Sequence, residues 1–190
     1  MLRRLAATAH VAVRGLEVRA RSPKMAQVER RRDGFWIVFQ PPLLVAPEPV
    51  RLFVLAHEIA HIALGHRVII RRLRFLGIAA ILLMAIGFGV VLKSQIVKDA
   101  NPWLLTTASV IWVAATLSPR AILLAVARRN EYQADRMAVT PLGSSDPGVA
   151  FFDWIEVAGQ LVLVPSPLRL WGSAHPSNAD RRRALMGGGR

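Results

Sequence analysis

A chain of 190 residues that is 53% hydrophobic, with a mean hydropathy of +0.36 and a formal net charge of +13, can bury a core and calls for a search for membrane-crossing segments. The lack of cysteine excludes disulfides and thiolate metal ligands, so any metal site must be built from His, Glu and Asp. The basic balance suits an anionic membrane face better than nucleic acid, because aromatics are only 7% and no basic-aromatic module is present.

Residues 1–34 form a basic N-terminal segment that includes Arg3, Arg4, Arg14, Arg19, Arg21, Arg30, Arg31 and Arg32. Its first 22 residues read either as an amphipathic helix on a membrane surface or as a solvated basic terminus. Arg14 and Glu17 interrupt the apolar run that a secretory signal requires. His10 has no partner pattern. The run FWIVFQPPLLV, residues 35–45, predicts a short strand ended by Pro41 and Pro42, or an edge strand. An edge strand there can pair with an extended peptide, or it can simply pack on the helix that follows.

That helix carries the chemistry. Residues 53–67 read FVLAHEIAHIALGHR, with His57, Glu58 and His61 in the spacing H-E-x-x-H. Residues four apart share one helix face, so His57 and His61 can aim two imidazoles at one metal ion, with Glu58 in reach of a water on it. The competing reading is two histidines satisfied within an apolar core. Gly65 fits a helix end, and His66 reads as a polar residue at that end.

Beyond Arg67, Arg71, Arg72 and Arg74 lies an uncharged run from Phe75 to Leu92. Its length falls within the roughly 17–25 residues that cross a bilayer as a helix. A polar stretch, KSQIVKDANP, leads to a second apolar run from Trp103 to Leu117, which continues past Ser118, Pro119 and Arg120 to Ala127. This is either a tilted or Pro-kinked span with Arg120 snorkelling, or a helix lying partly in protein. A second span is preferred, since the first needs a return path. The arginines at both outer ends, Arg128 and Arg129 among them, predict a cytoplasmic face for both ends and for the HEIAH helix.

Residues 128–139, RRNEYQADRMAV, place Glu131 and Asp135 four apart. Zinc held by two histidines takes a third His or a Glu, with water in the fourth position. A third His in the spacing H-E-x-x-H-x-x-G-x-x-H is missing, because Leu64 and Arg67 stand at the Gly and His positions. Glu131 is the better ligand, and Asp135 can accept from a ligand imidazole and fix its tautomer. Alone, the two carboxylates would read as solvated residues paired with Arg128 or Arg136. Residues 141–150 form a turn-rich loop, 151–163 a helix, and the C-terminal run PSPLRLWGSAHPSNADRRRAL brings His175 and Arg181.

Three motifs in order, LAHEIAHIALGH, RRNEYQAD and AHPSNADRRRAL, with an apolar hairpin between the first two, resemble the HtpX-like integral-membrane zinc metallopeptidases. That superfamily also holds the CAAX prenyl endopeptidase and the mitochondrial Oma-type protease. The resemblance runs from about residue 36 to 186. It implies one zinc ion on His57, His61 and Glu131, Glu58 as catalytic base and Asp135 as support. It further implies His175 near the reacting oxygen and Arg181 as a structural or site-shaping partner. Two departures stand out: Arg182 occupies a usually aliphatic position, and the extra N-terminal spans of larger members are missing.

The expected fold is mainly α with a small β element (α+β). A zincin-like metallopeptidase domain, residues 35–67 and 128–190, is interrupted by a transmembrane hairpin, 75–127. The expected protein is a zinc-dependent endopeptidase, multi-pass in the cell (inner) membrane, with polypeptide substrates and the lipid bilayer as partners and no nucleic acid. The alternatives are a soluble ImmA/IrrE-like zinc protease, which RLFVLAHEIAH and the EYQAD run also resemble, and a non-catalytic membrane adaptor that keeps a zinc fold.

Overall fold

The computed structural model describes residues 1–21, 25–97, 102–160 and 175–187. The described residues are mostly helical with one three-stranded sheet, as the α+β expectation has it. The chain divides into two compact units, residues 1–67 with 128–190 and residues 68–127.

The N-terminal segment differs from the amphipathic-helix reading. Helix α1 spans only Leu2–Thr8, and Leu5 and Ala6 lie in the hydrophobic core. Strands β1 (Val13–Val18) and β2 (Ala26–Arg31) follow. The basic residues are accommodated because carboxylates meet them across the sheet. Arg19 pairs with Glu29 at 2.7 Å and with Glu17 at 2.8 Å, and Arg31 binds both Glu17 and Glu29. These partly exposed charges form one network, which holds Glu17 below the usual carboxylate range and Glu29 down at about 2 through hydrogen bonds from both arginines.

Strand β3 (Gly34–Phe39) is the middle strand, in the order β1-β3-β2. It runs antiparallel to β2 and parallel to β1. This corrects the edge-strand expectation for residues 35–45. Both sides of β3 are occupied, and Pro41 lies beyond the strand in a 3-10 turn, Pro41–Leu44, where it removes no ladder hydrogen bond. Val28, Ile37 and Phe39 pack from the sheet into the core.

Helix α2 (Glu48–Ala63) starts with Pro49 in its first turn, where a missing N–H costs nothing. It buries Val50, Phe53, Val54, Leu55, Ala56, Ile59 and Ala60. It ends at Gly65, whose φ of 64° is a left-handed conformation that favours glycine, as expected. Helix α3 (His66–Val97) follows at once.

Helix α4 (Pro102–Val139) runs through Pro119 without a break in assignment and includes the whole RRNEYQAD block. The linking residues 98–101 lie outside the described set. The predicted loop 141–150 is shorter than expected: a 3-10 turn (Thr140–Leu142) and Gly143, with φ 72°, lead directly into α5 (Asp146–Gln160). Ser144 Oγ accepts from the Asp146 amide there. The predicted helix 151–163 therefore begins earlier, and its last residues, with the run up to Ala174, lie outside the described set. Gly148 in α5 allows close approach, since a Cβ there would sit 2.8 Å from the Phe53 ring and 2.6 Å from Leu185.

Helix α6 (Asn178–Gly187) is capped by Ser177, whose hydroxyl donates to the Asp180 carboxylate and accepts from the Asp180 amide. It closes the first unit by inserting Leu185 and Arg181 into the core.

In the second unit the apolar residues point outward. Phe75, Leu83, Ile86 and Trp103 are all at least 66% exposed. Within this unit Gly77 approaches Pro119 closely, and the Phe88 and Trp112 rings stack tilted with centroids 5.7 Å apart. Both helices are long and apolar enough to cross a membrane by length and composition.

Candidate metal centre

Helical spacing delivers the expected pair. His57 Nε2 and His61 Nε2 lie 3.0 Å apart, and both turn toward Glu131 of α4. Glu131 Oε2 is 3.6 Å from His57 Nε2, and Glu131 Oε1 is 3.5 Å from His61 Nε2. A tetrahedral zinc site with bonds of about 2.0–2.1 Å has ligand–ligand edges of roughly 3.3 Å. Each imidazole nitrogen is about that far from a different Glu131 oxygen, and with one ligand atom from each residue the three atoms lie within 4.8 Å of one another. Two neutral imidazole nitrogens and a carboxylate are also the donor types zinc takes, and these three residues form the candidate metal-holding cluster among the described residues. The fit is good.

Glu58 is the only residue between Phe53 and Ala60 that is not buried. Glu58 is therefore part-exposed next to the buried ligand His57. His175, half-exposed, holds Nδ1 at 3.2 Å from Glu131 Oε2.

Behind the triangle lies a buried charge cluster. Asp135 is 1% exposed and grips Arg181 with two hydrogen bonds, Nε to Oδ2 at 2.7 Å and Nη2 to Oδ1 at 2.6 Å. Such a bidentate pair is charge-assisted and geometrically demanding. Arg181 also lies 3.3 Å from Glu131 and stacks over the Phe152 ring at 5.1 Å. His57 Nδ1 sits 2.9 Å from Asp135 Oδ1, although the ring N–H is not aligned for a good hydrogen bond. The contact is therefore mainly electrostatic, and the distance is short enough for a small ring rotation to align it.

Titration follows from these contacts. Burial alone would push His57 toward neutrality, but Asp135 and Glu131 outweigh it and raise its pKa to about 9. Burial likewise disfavours charge on Glu131 and Asp135, yet both stay well below the usual range. His175, His57 and His61 hold Glu131 there, and Arg181 and His57 hold Asp135.

The structure brings together His57, His61, Glu131, Asp135, His175 and Arg181 from three separate motifs. One residue at the site escaped the sequence reading. His66 stands at a helix end, as the first residue of α3, but it is 4% exposed and its Nδ1 lies 2.8 Å from His61 Nδ1. Burial, then the neighbouring His61, lower its pKa to about 4, so it is neutral near pH 7. The available signal was Gly65, whose left-handed turn starts a new helix on His66 instead of releasing it to solvent.

Comparison with known proteins agrees with this picture. The model of Peptidase family M48 matches residues 31–187, most of the chain, and the chain belongs to that metallopeptidase family. The fold is similar to that in the crystal structure of S. mikatae Ste24p, with a TM-score of 0.55 and 21% sequence identity. The match covers 84% of this chain and 41% of that one, so the chain spans about two-fifths of that protein's length. No curated protein matches the chain in sequence.

Proposed function

We propose that the chain is a zinc-dependent endopeptidase that works at a membrane. The observation that carries this reading is the His57–His61–Glu131 cluster, whose two Nε2 atoms lie 3.0 Å apart and 3.6 and 3.5 Å from the two Glu131 carboxylate oxygens, beside a part-exposed Glu58. These three residues would hold the ion, which when bound supplies a Lewis acid that acidifies water and polarises a carbonyl. Glu58 acts as the general base that takes the proton from the attacking water and then delivers it to the leaving nitrogen. His175 stands beside Glu131 with half its surface exposed, where it can donate to the oxyanion that develops on the scissile carbonyl. Asp135 and Arg181 orient His57 and Glu131 and touch no substrate.

The exposed apolar surfaces of α3 and α4 support membrane insertion, since water would leave them unburied. Arg67, Arg71, Arg72 and Arg74, before the first apolar run, and Arg128 and Arg129, after the second, would share one membrane face in a two-span hairpin and favour a cytoplasmic face for the metal centre in an inner membrane.

The test is casein or peptide cleavage by the zinc-loaded chain and its Glu58→Gln variant. The variant is expected to keep zinc and to lose about 10²–10⁴-fold in kcat. Wild-type cleavage by Glu58→Gln would overturn the base assignment. Zinc binding with no cleavage by the wild type would point to an adaptor. Release of the chain from membranes by carbonate would point to a soluble ImmA/IrrE-like protease.

A further inference from the structure

His57 and His61 are held from behind in different ways. His57 is backed by the Asp135–Arg181 ion pair, whereas His61 is backed by neutral groups. His61 Nδ1 meets His66 Nδ1 at 2.8 Å, and His66 Nε2 faces Gln133 Oε1 at 3.4 Å. The second distance is long for a hydrogen bond, but it joins a buried ring nitrogen to an amide oxygen.

Two nitrogens 2.8 Å apart require that one carry the shared proton. If His66 Nδ1 carried it, His66 Nε2 would be a bare lone pair turned toward the Gln133 oxygen, which is repulsive. His61 would then be protonated on Nε2, the atom 3.0 Å from His57 Nε2 and 3.5 Å from Glu131. The opposite assignment is the one a metal ligand requires. His61 Nδ1–H donates to His66 Nδ1, His66 Nε2–H points to Gln133 Oε1, and the His61 Nε2 lone pair is left for the ion that His57 and Glu131 would share.

We propose that His66 and Gln133 form a positioning relay that fixes the tautomer and ring angle of His61 and so presets the second imidazole of the metal centre. The inference rests on the metal-centre reading above. The relay also explains the placement of its members. Helix α2 ends at Ala63, and the left-handed turn at Gly65 brings His66, the first residue of α3, back toward His61. Gln133 lies two residues beyond Glu131 on α4, so the same helix that supplies the carboxylate also anchors the far end of the relay. A ligand imidazole commonly gives its second N–H to a carboxylate, carbonyl or water; here a second, neutral imidazole takes that role.

The test is zinc affinity of the full chain in detergent, read by competition with a chromophoric chelator, together with the histidine ¹H–¹⁵N spectrum. His66→Leu keeps bulk but removes the acceptor, and it is expected to weaken zinc binding about 10–100-fold. In His66→Asn the Oδ1 hangs from the same Cγ as the imidazole Nδ1, so affinity is expected to stay within about threefold of wild type. Gln133→Leu is expected to fall between these two. In the wild-type spectrum the proton is expected on His61 Nδ1. Equal affinity of wild type and His66→Leu overturns the inference, as does an Asn variant no better than Leu, or a proton found on His66 Nδ1. If His66→Leu does not fold, the Asn and Gln133 variants and the wild-type spectrum decide. A wild type that takes up no zinc overturns the metal-centre reading itself, and the inference with it.

Discussion

Helices α2 and α3 are almost equally apolar, yet their side chains end in opposite environments. Helix α2 buries eight of its sixteen residues in protein, with Phe53 at 1% exposure between Phe151 and Phe152. In α3, Leu83 is 70% exposed and Phe75 72%. The difference teaches that apolar composition alone does not say which phase receives a side chain. The interruption of α2 by His57, Glu58 and His61 marks a helix with a protein-facing task. The unbroken run 75–92 marks one whose partner is a uniform apolar medium.

The largest test of this contrast is a matched pair of truncations. Phe53→Ala is expected to cost about 3–5 kcal/mol in denaturant unfolding of the first unit, because it opens a cavity among Phe151, Phe152 and His57. Leu83→Ala, which touches no buried protein core, is expected to stay within about 0.5 kcal/mol in detergent. Similar costs for the two would erase the distinction. A somewhat smaller effect sharpens it from the other side. Leu83→Arg is expected to raise the free energy of membrane insertion by about 2.5–3.5 kcal/mol, read by a glycosylation-based insertion assay. Unchanged insertion would remove the bilayer from the account of α3.

The smallest effect concerns pH and is confined to α2. In the metal-free chain the His57 pKa is raised from 6.5 to about 9. A raised histidine pKa contributes stability that is complete below pH 6.5 and is lost as pH rises through about 9. The thermal midpoint of the metal-free chain is therefore expected to fall over that interval, by about 2–4 °C for each kcal/mol lost. Zinc competes with the same proton, so zinc affinity is expected to rise across the same range. A midpoint that is flat from pH 6.5 to 9 would show that Asp135 and Glu131 do not raise His57.

The parts legible in the sequence were those written in local spacing. His57 with His61 and Glu131 with Asp135 each follow from one helical turn, and Gly65 from its own backbone requirement. The parts that were not legible depend on partners far along the chain. Arg14, Glu17 and Arg19 look like a basic helix until Glu29 and Arg31 are brought alongside, and only then does the alternation of charge read as strand pairing. Strand β3 resembles an edge for the same reason, since nothing local marks residues 13–18 and 26–31 as its partner strands. His66 looked idle because its second contact, Gln133, lies 67 positions away.

Arg181 gives the site an order in time. During synthesis α2 and α4 leave the ribosome well before residue 181, so the nascent chain carries Glu131 and Asp135 without the guanidinium that later binds both. Sealing two carboxylates into a core without that cation is costly, so the buried cluster behind the metal centre is completed only when α6 docks.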